Sequence, residues 1–152
     1  MAKDMSDWSR FERLTPFRIR DVLLVASPFD FYLLEESGYL AEIMRQEYAE
    51  LNLSQSPRII HSREARDALQ LIRERQFDLV ITMARVGSMD VNAFGREVKS
   101  IVTDMPVILL SHNTRELATL HAGDGIDRIF VWTGDSRILL SICKLIEDEK
   151  NV

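Results

Sequence analysis

Five short, almost continuously apolar runs recur along this chain. They are Val22-Leu23-Leu24-Val25-Ala26, Arg58-Ile59-Ile60, Leu79-Val80-Ile81-Thr82, Val107-Ile108-Leu109-Leu110 and Ile129-Phe130-Val131-Trp132. Each is too short for a helix and rich in β-branched residues. Such runs suit strands buried on both faces, as in a parallel sheet.

Helical patterns lie between the runs. From Phe31 to Leu51, the residues Leu33, Leu40, Ile43, Met44, Tyr48 and Leu51 recur near a period of 3.6. This segment predicts a long first helix containing Gly38 and carrying Tyr32, Tyr39 and Tyr48. Ser62 is the expected N-cap of a helix over Arg63 to Gln76, with Ala65, Ala68, Leu69 and Ile72 facing inward. Asn92 to Val102 offers Phe94 and Val98. Thr114 to His121 offers Leu117, Ala118 and His121, with Gly123 placed to end that helix. Asp135 is the expected cap of a last helix striped by Ile138, Leu139, Ile142, Leu145 and Ile146. The order βαβαβαβαβα predicts right-handed crossovers and helices on both faces. The expected architecture is a flavodoxin-like (βα)5 three-layer α/β sandwich with parallel sheet order 2-1-3-4-5. Such sheets carry ligand sites at the carboxyl ends of their strands.

The length, 152 residues, corresponds to about one domain. Residues 1–20 read as an N-terminal arm bearing Trp8, Phe11, Leu14 and Phe17, with Pro16 separating it from a body over 21–152. That arm reads either as docked on its own body or partly disordered, or as a dimer or partner contact. No apolar run approaches a membrane span, and MAKDMSDWSR lacks the apolar core of a secretion signal. Cys143 is the only cysteine, which excludes an internal disulfide and a cysteine zinc cage. A cytoplasmic location is expected. The net charge of −5 disfavours a general nucleic-acid binder, which needs a basic surface. Fifteen of the 19 basic residues are arginine, the composition of salt-bridged helix faces.

From Asp21 to Lys150 the chain resembles the receiver domain of two-component response regulators (CheY-like). The residues that carry the resemblance are Asp21 to Val25, Ala65-Arg-Asp-Ala-Leu69 with Phe77-Asp-Leu-Val-Ile81, Met105 to Ser111 and Gly125-Ile-Asp127. The loop Gly87-Ser-Met-Asp90 stands where the family often has Pro-Gly-Met-Asp. The resemblance implies a phosphorelay module. Two acidic residues after strand one help hold magnesium, and an aspartate ending strand three takes the phosphoryl group. A Ser or Thr ends strand four, and a lysine ends strand five. The chemistry explains these types, because a phosphoryl group needs a cation and a lysine to offset its charge.

This sequence departs from that pattern. The acidic pair falls on Ala26 and Ser27, the phosphoacceptor on Met83 and the lysine on Trp132; only the hydroxyl is kept, as Ser111. Met83 has no nucleophilic oxygen, and its thioether is a poor magnesium ligand. The resemblance therefore implies a degenerate pseudo-receiver: no enzyme, with no catalytic residue, metal or cofactor expected. It would act through a protein partner or another domain of a larger chain, and receivers commonly dimerise through helix four, strand five and helix five. In one reading Met83 and Trp132 merely fill the old site. In the other, a small uncharged ligand lies against Trp132 in a candidate pocket of Ser27, Asp30, Thr82, Met83, Ser111 and Trp132. Pro16 to Asp30 followed by Leu33 to Gly38 also resembles the amino-terminal region of some large bacterial proteins that carry a phosphoenolpyruvate synthase-type module, although no glycine-rich phosphate loop occurs here. His61, His112 and His121 lack a metal spacing, and His112 is expected to be buried or capping. Cys143 is expected to be a buried structural thiol.

Overall fold

The computed structural model describes residues 17–35, 40, 42, 45, 46, 48, 53, 56–112, 114–123 and 125–151. Trp8, Phe11, Leu14 and Pro16 of the arm lie outside the described residues, as do Gly38, Tyr39, Ile43, Met44 and Leu51 of the expected first helix.

The element order is β1 (Asp21–Val25), α1 (Pro28–Glu35), β2 (Arg58–Ser62), α2 (Ala65–Glu74), β3 (Leu79–Thr82), α3 (Val91–Ile101), β4 (Val107–Ser111), α4 (Thr114–Leu117), β5 (Arg128–Val131) and α5 (Ile138–Lys150). The strands form one sheet in the order β2-β1-β3-β4-β5, and every described pairing is parallel. This is the expected flavodoxin-like topology.

The apolar runs divide by the two-residue period of a strand. Val22, Leu24, Ile81, Ile108 and Leu110 pack on one face with Leu34 of α1 and Leu139, Ile142 and Ile146 of α5. Leu23, Val25, Val80, Val107 and Leu109 pack on the other with Ala68 and Ile72 of α2 and Phe94 and Val98 of α3. Cys143 lies inside the first cluster. Burial pushes its thiol up to about 12, and the charge of Glu147 adds to the shift.

The chain entering β1 is fastened at the amino-terminal edge of the sheet. Asn151 grips Phe17 from both sides: its Oδ1 accepts from the Phe17 amide at 2.6 Å, and its Nδ2 donates to the Phe17 carbonyl at 2.9 Å. The buried carboxylate of Glu147 accepts from the Ile19 amide at 3.1 Å. Asp78 accepts from the amides of Arg20 and Asp21.

Several local expectations are corrected. Ser62 is the last residue of β2 and donates to the Glu64 carbonyl; Glu64 is the N-cap of α2, with no side-chain cap bond. The helix expected over Thr114 to His121 stops at Leu117. The tighter bonds Thr119 N to Glu116 O and Leu120 N to Leu117 O then turn the chain. Gly123, at φ +112°, closes a bridge with Ile126 rather than ending a helix. Asp135 accepts from the Arg137 amide one turn before α5, whose N-cap is Arg137. Its carboxyl is held below the ordinary value, first by the Arg137 guanidinium and then by that amide.

Candidate functional site

The carboxyl edge of the sheet is built from the residues that follow β1, β3, β4 and β5. Ala26 is held from the β2 side: its amide donates to the Ser62 carbonyl at 3.0 Å, and its carbonyl accepts from His61 Nε2 at 2.7 Å. The His61 ring stacks on Phe31, with centroids 3.9 Å apart and an interplanar angle of 6°. Ser27 starts α1. Its hydroxyl accepts from the Asp30 amide at 3.1 Å and its carbonyl from Phe31 at 2.9 Å. Pro28 follows at the first helical position, where a missing N–H leaves nothing unpaired.

That cap places Asp30 in the first helical turn, where the helix dipole favours a carboxylate. Asp30 is only 8% exposed. Its Oδ1 accepts from His112 Nε2 at 3.3 Å, a long bond. The His112 ring stands edge-on to Trp132, with centroids 5.7 Å apart.

Met83 is 2% exposed, and its amide donates to the Val25 carbonyl at 2.9 Å. Thr82, one residue earlier on the pleat, is fully buried and donates to the Met83 carbonyl. Ser111 is buried, and its carbonyl accepts from the Trp132 amide at 2.9 Å. Trp132 belongs to the core cluster on the α1/α5 face. Its Nε1 is buried with no hydrogen-bond partner among the described residues.

A cleft of about 330 Å³ opens here, lined by Ser27, Phe29, Asp30, Met83, Ala84, Arg85, Leu110, Ser111, His112 and Glu116. Of the six expected pocket residues, it brings together Ser27, Asp30, Met83 and Ser111. Thr82 and Trp132 lie outside the lining, in the packed core. The cleft also does not match the expectation of a small uncharged ligand lying against Trp132, because Asp30, Arg85, His112 and Glu116 form its walls and Trp132 is not among them. The strand-end positions supply the apolar floor, while the charged groups come from α1, α4 and the loops beyond β3 and β4. His112 is not buried: its side chain is 41% exposed. The Ser27-Pro28-Phe29-Asp30 spacing, a cap residue with an acid three positions later, is the sequence signal that fixes Asp30 at this place.

Asp78 and Asp90 do not reach Met83's end of the strand. Asp78 serves the opposite edge. Asp90 caps α3, accepting from the amides of Asn92 and Ala93. The loop between is pinned by a bridge from Val86 to Met89 and by Ala65 donating to the Val86 carbonyl. The donor set does not fit a magnesium ion: a methyl group stands at Ala26 and a thioether at Met83, and the Ser27 hydroxyl caps a helix. Among the described residues no group of three or more His, Cys, Asp or Glu could hold a metal. No described helix is long and apolar enough to cross a membrane.

The orphan indole yields a test. Removing a buried donor that has no partner removes its desolvation penalty, of order 1–3 kcal/mol, while phenylalanine keeps most of the ring contact. Trp132→Phe is therefore expected to match the parent in urea-unfolding stability or exceed it by about 1 kcal/mol. A loss of more than about 2 kcal/mol would show that the indole N–H is satisfied in solution.

No protein-family model and no curated protein matches the sequence. Solved structures do match. A CheY-like response regulator receiver domain protein from Methanospirillum hungatei superposes with a TM-score of 0.65 at 16% identity, covering 87% of this chain and 96% of that one. The signal receiver domain of an HD domain-containing protein from Pseudomonas fluorescens gives 0.59 at 23% identity, covering 90% and 92%. A redox sensor of the streptococci, from a family evolved from two-component response regulators, gives 0.64 at 14% identity, with 87% of this chain spanning 52% of that one. At these identities the likeness is one of architecture, and the chain has the fold of response regulator receiver domains.

Proposed function

We propose that this chain is a receiver-fold signalling module that takes no phosphoryl group and performs no catalysis. It works in the cytoplasm through contacts with a protein partner or with another domain of a larger chain, and not through nucleic acid or a membrane. The observation that carries the reading is the chemistry at the carboxyl edge. The position that would need a nucleophilic carboxylate holds the buried thioether of Met83, and the adjoining acidic and basic positions hold Ala26 and Trp132. A phosphoryl group there would meet neither a cation site nor a lysine.

The test is incubation of the intact chain with acetyl phosphate and magnesium, followed by intact mass spectrometry. No phosphoryl adduct is expected at any pH between 6 and 8. A stable acyl phosphate would overturn the reading.

A second reading, a small-ligand sensor, is favoured by one observation: the site is open. The substituted edge keeps a cleft of about 330 Å³, which core-filling by Met83 and Trp132 alone would have closed.

A further inference from the structure

We propose that this cleft binds a free α-amino acid with an apolar side chain. The proposal rests on the sensor reading and names its ligand class.

Asp30 supplies the first argument. It faces the cleft and is 8% exposed, and among the described residues its carboxylate makes one long hydrogen bond, to His112. A carboxylate has roughly four acceptor sites, so most of its capacity is unused. A buried acceptor left unmatched is costly, and an ammonium group with three donors relieves that cost. Arg85 supplies the second. It is exposed, reaches the same cleft from the loop after β3, and carries the planar fork that matches a carboxylate. The floor is apolar, from Met83 and Leu110, and Phe29 stands at the cleft 69% exposed. That surface suits an aliphatic or thioether side chain.

The charged walls together set the class, with Asp30 and Glu116 acidic and Arg85 basic. A plain amine would be placed beside Arg85, and a plain carboxylate beside Asp30, each with a like charge to face. A zwitterion offers each wall its opposite. The volume is at the lower end for small-molecule sites, a size suited to one amino acid rather than a nucleotide.

The experiment is calorimetric titration of the intact chain with L-leucine and L-methionine. The controls are 3-methylbutylamine, which lacks the carboxylate, and 4-methylpentanoate, which lacks the ammonium. Saturable binding of an amino acid is expected, with both controls about tenfold weaker or more. Asp30→Asn should weaken binding about tenfold, and Arg85→Gln several-fold. Arg85 lies on the surface, so its variant tests the site even if Asp30→Asn fails to fold. Amino-acid binding that survives both substitutions, or a control that binds as tightly, overturns the proposal. A control that binds while the amino acids do not removes this ligand class and leaves the sensor reading standing. Silence from all four compounds overturns the proposal.

Discussion

Gly95→Ala is expected to destabilise the domain by more than about 3 kcal/mol, and Gly125→Ala to do the same. The two glycines meet backbone to backbone, where α3 crosses the segment leading into β5. A Cβ on Gly95 would fall within 2.6 Å of the Gly125 carbonyl carbon, with the carbonyl oxygen nearer still. A Cβ on Gly125 would fall within 2.7 Å of the Gly95 Cα and closer to the Arg96 amide nitrogen. Real Cβ contacts essentially never fall under 3.0 Å, and no flexible side chain is present to move aside. Relief requires lifting α3 away from residues 125–127. That segment is held by the buried Ile126 and by Asp127, whose Oδ2 accepts from the Val107 amide and from Lys99 Nζ, each at 2.8 Å. The expected loss is a large share of the 5–15 kcal/mol of a typical domain. Gly123→Ala is the control. Its φ of +112° is strained for alanine, but nothing lies within 4 Å of its Cβ, so only about 1–3 kcal/mol is expected. The urea midpoints of Gly95→Ala and Gly125→Ala should both fall below that of Gly123→Ala. Equal midpoints would show that the close approach is not rigid in solution.

That crossing also marks the limit of what the sequence conveys. The five strands are legible as apolar runs because a parallel sheet covered on both faces demands them. The same continuity hides the parity within each run. Nothing in Val22-Leu23-Leu24-Val25 says which residues face α1 and α5 and which face α2 and α3, because an unbroken run has no period-2 signal. Helices with wide apolar stripes, α2 and α5, are legible for the opposite reason, since their polar faces expose the period. α4 is not, because Leu117 and Ala118 continue a helical pattern past the point where the bonds of Thr119 and Leu120 turn the chain. The strand-end residues Ala26, Met83 and Trp132 can be read directly from the sequence. The charged walls of the cleft cannot, because Asp30 and His112 are separated by 82 residues and meet only when β1 and β4 are placed on either side of β3. The contact between Gly95 and Gly125 is of the same kind: each glycine is ordinary in its own segment, and only the packing gives it a reason.

Met83→Asp is the second large effect, and it separates the fold from the chemistry. It puts a carboxylate just after β3, at the position that the proposed function reads as a lost phosphoacceptor. Two costs follow. The buried thioether chain gives up apolar burial worth about 1.5–3 kcal/mol, and the new carboxylate enters a site flanked by the core cluster and by Asp30. Met83 borders the cleft, so part of that charge stays in reach of water, and the summed loss is expected at roughly 2–4 kcal/mol at pH 7.5. Desolvation and the neighbouring Asp30 charge both favour the protonated form, so the introduced group should have a folded pKa above its unfolded value of about 3.9. The charge penalty is therefore absent well below the unfolded value of about 3.9, where the group is protonated in both states, grows as pH rises from there to the folded pKa, and levels off above it. Urea midpoints relative to the parent should therefore differ more at pH 7.5 than at pH 4.5. The variant should still form no acyl phosphate with acetyl phosphate and magnesium. The Ala26 side chain offers the cation no oxygen, and Trp132 offers the phosphoryl group no charge. An adduct on Met83→Asp would mean that Asp30 alone can recruit the cation, and that a single substitution separates this chain from phosphotransfer.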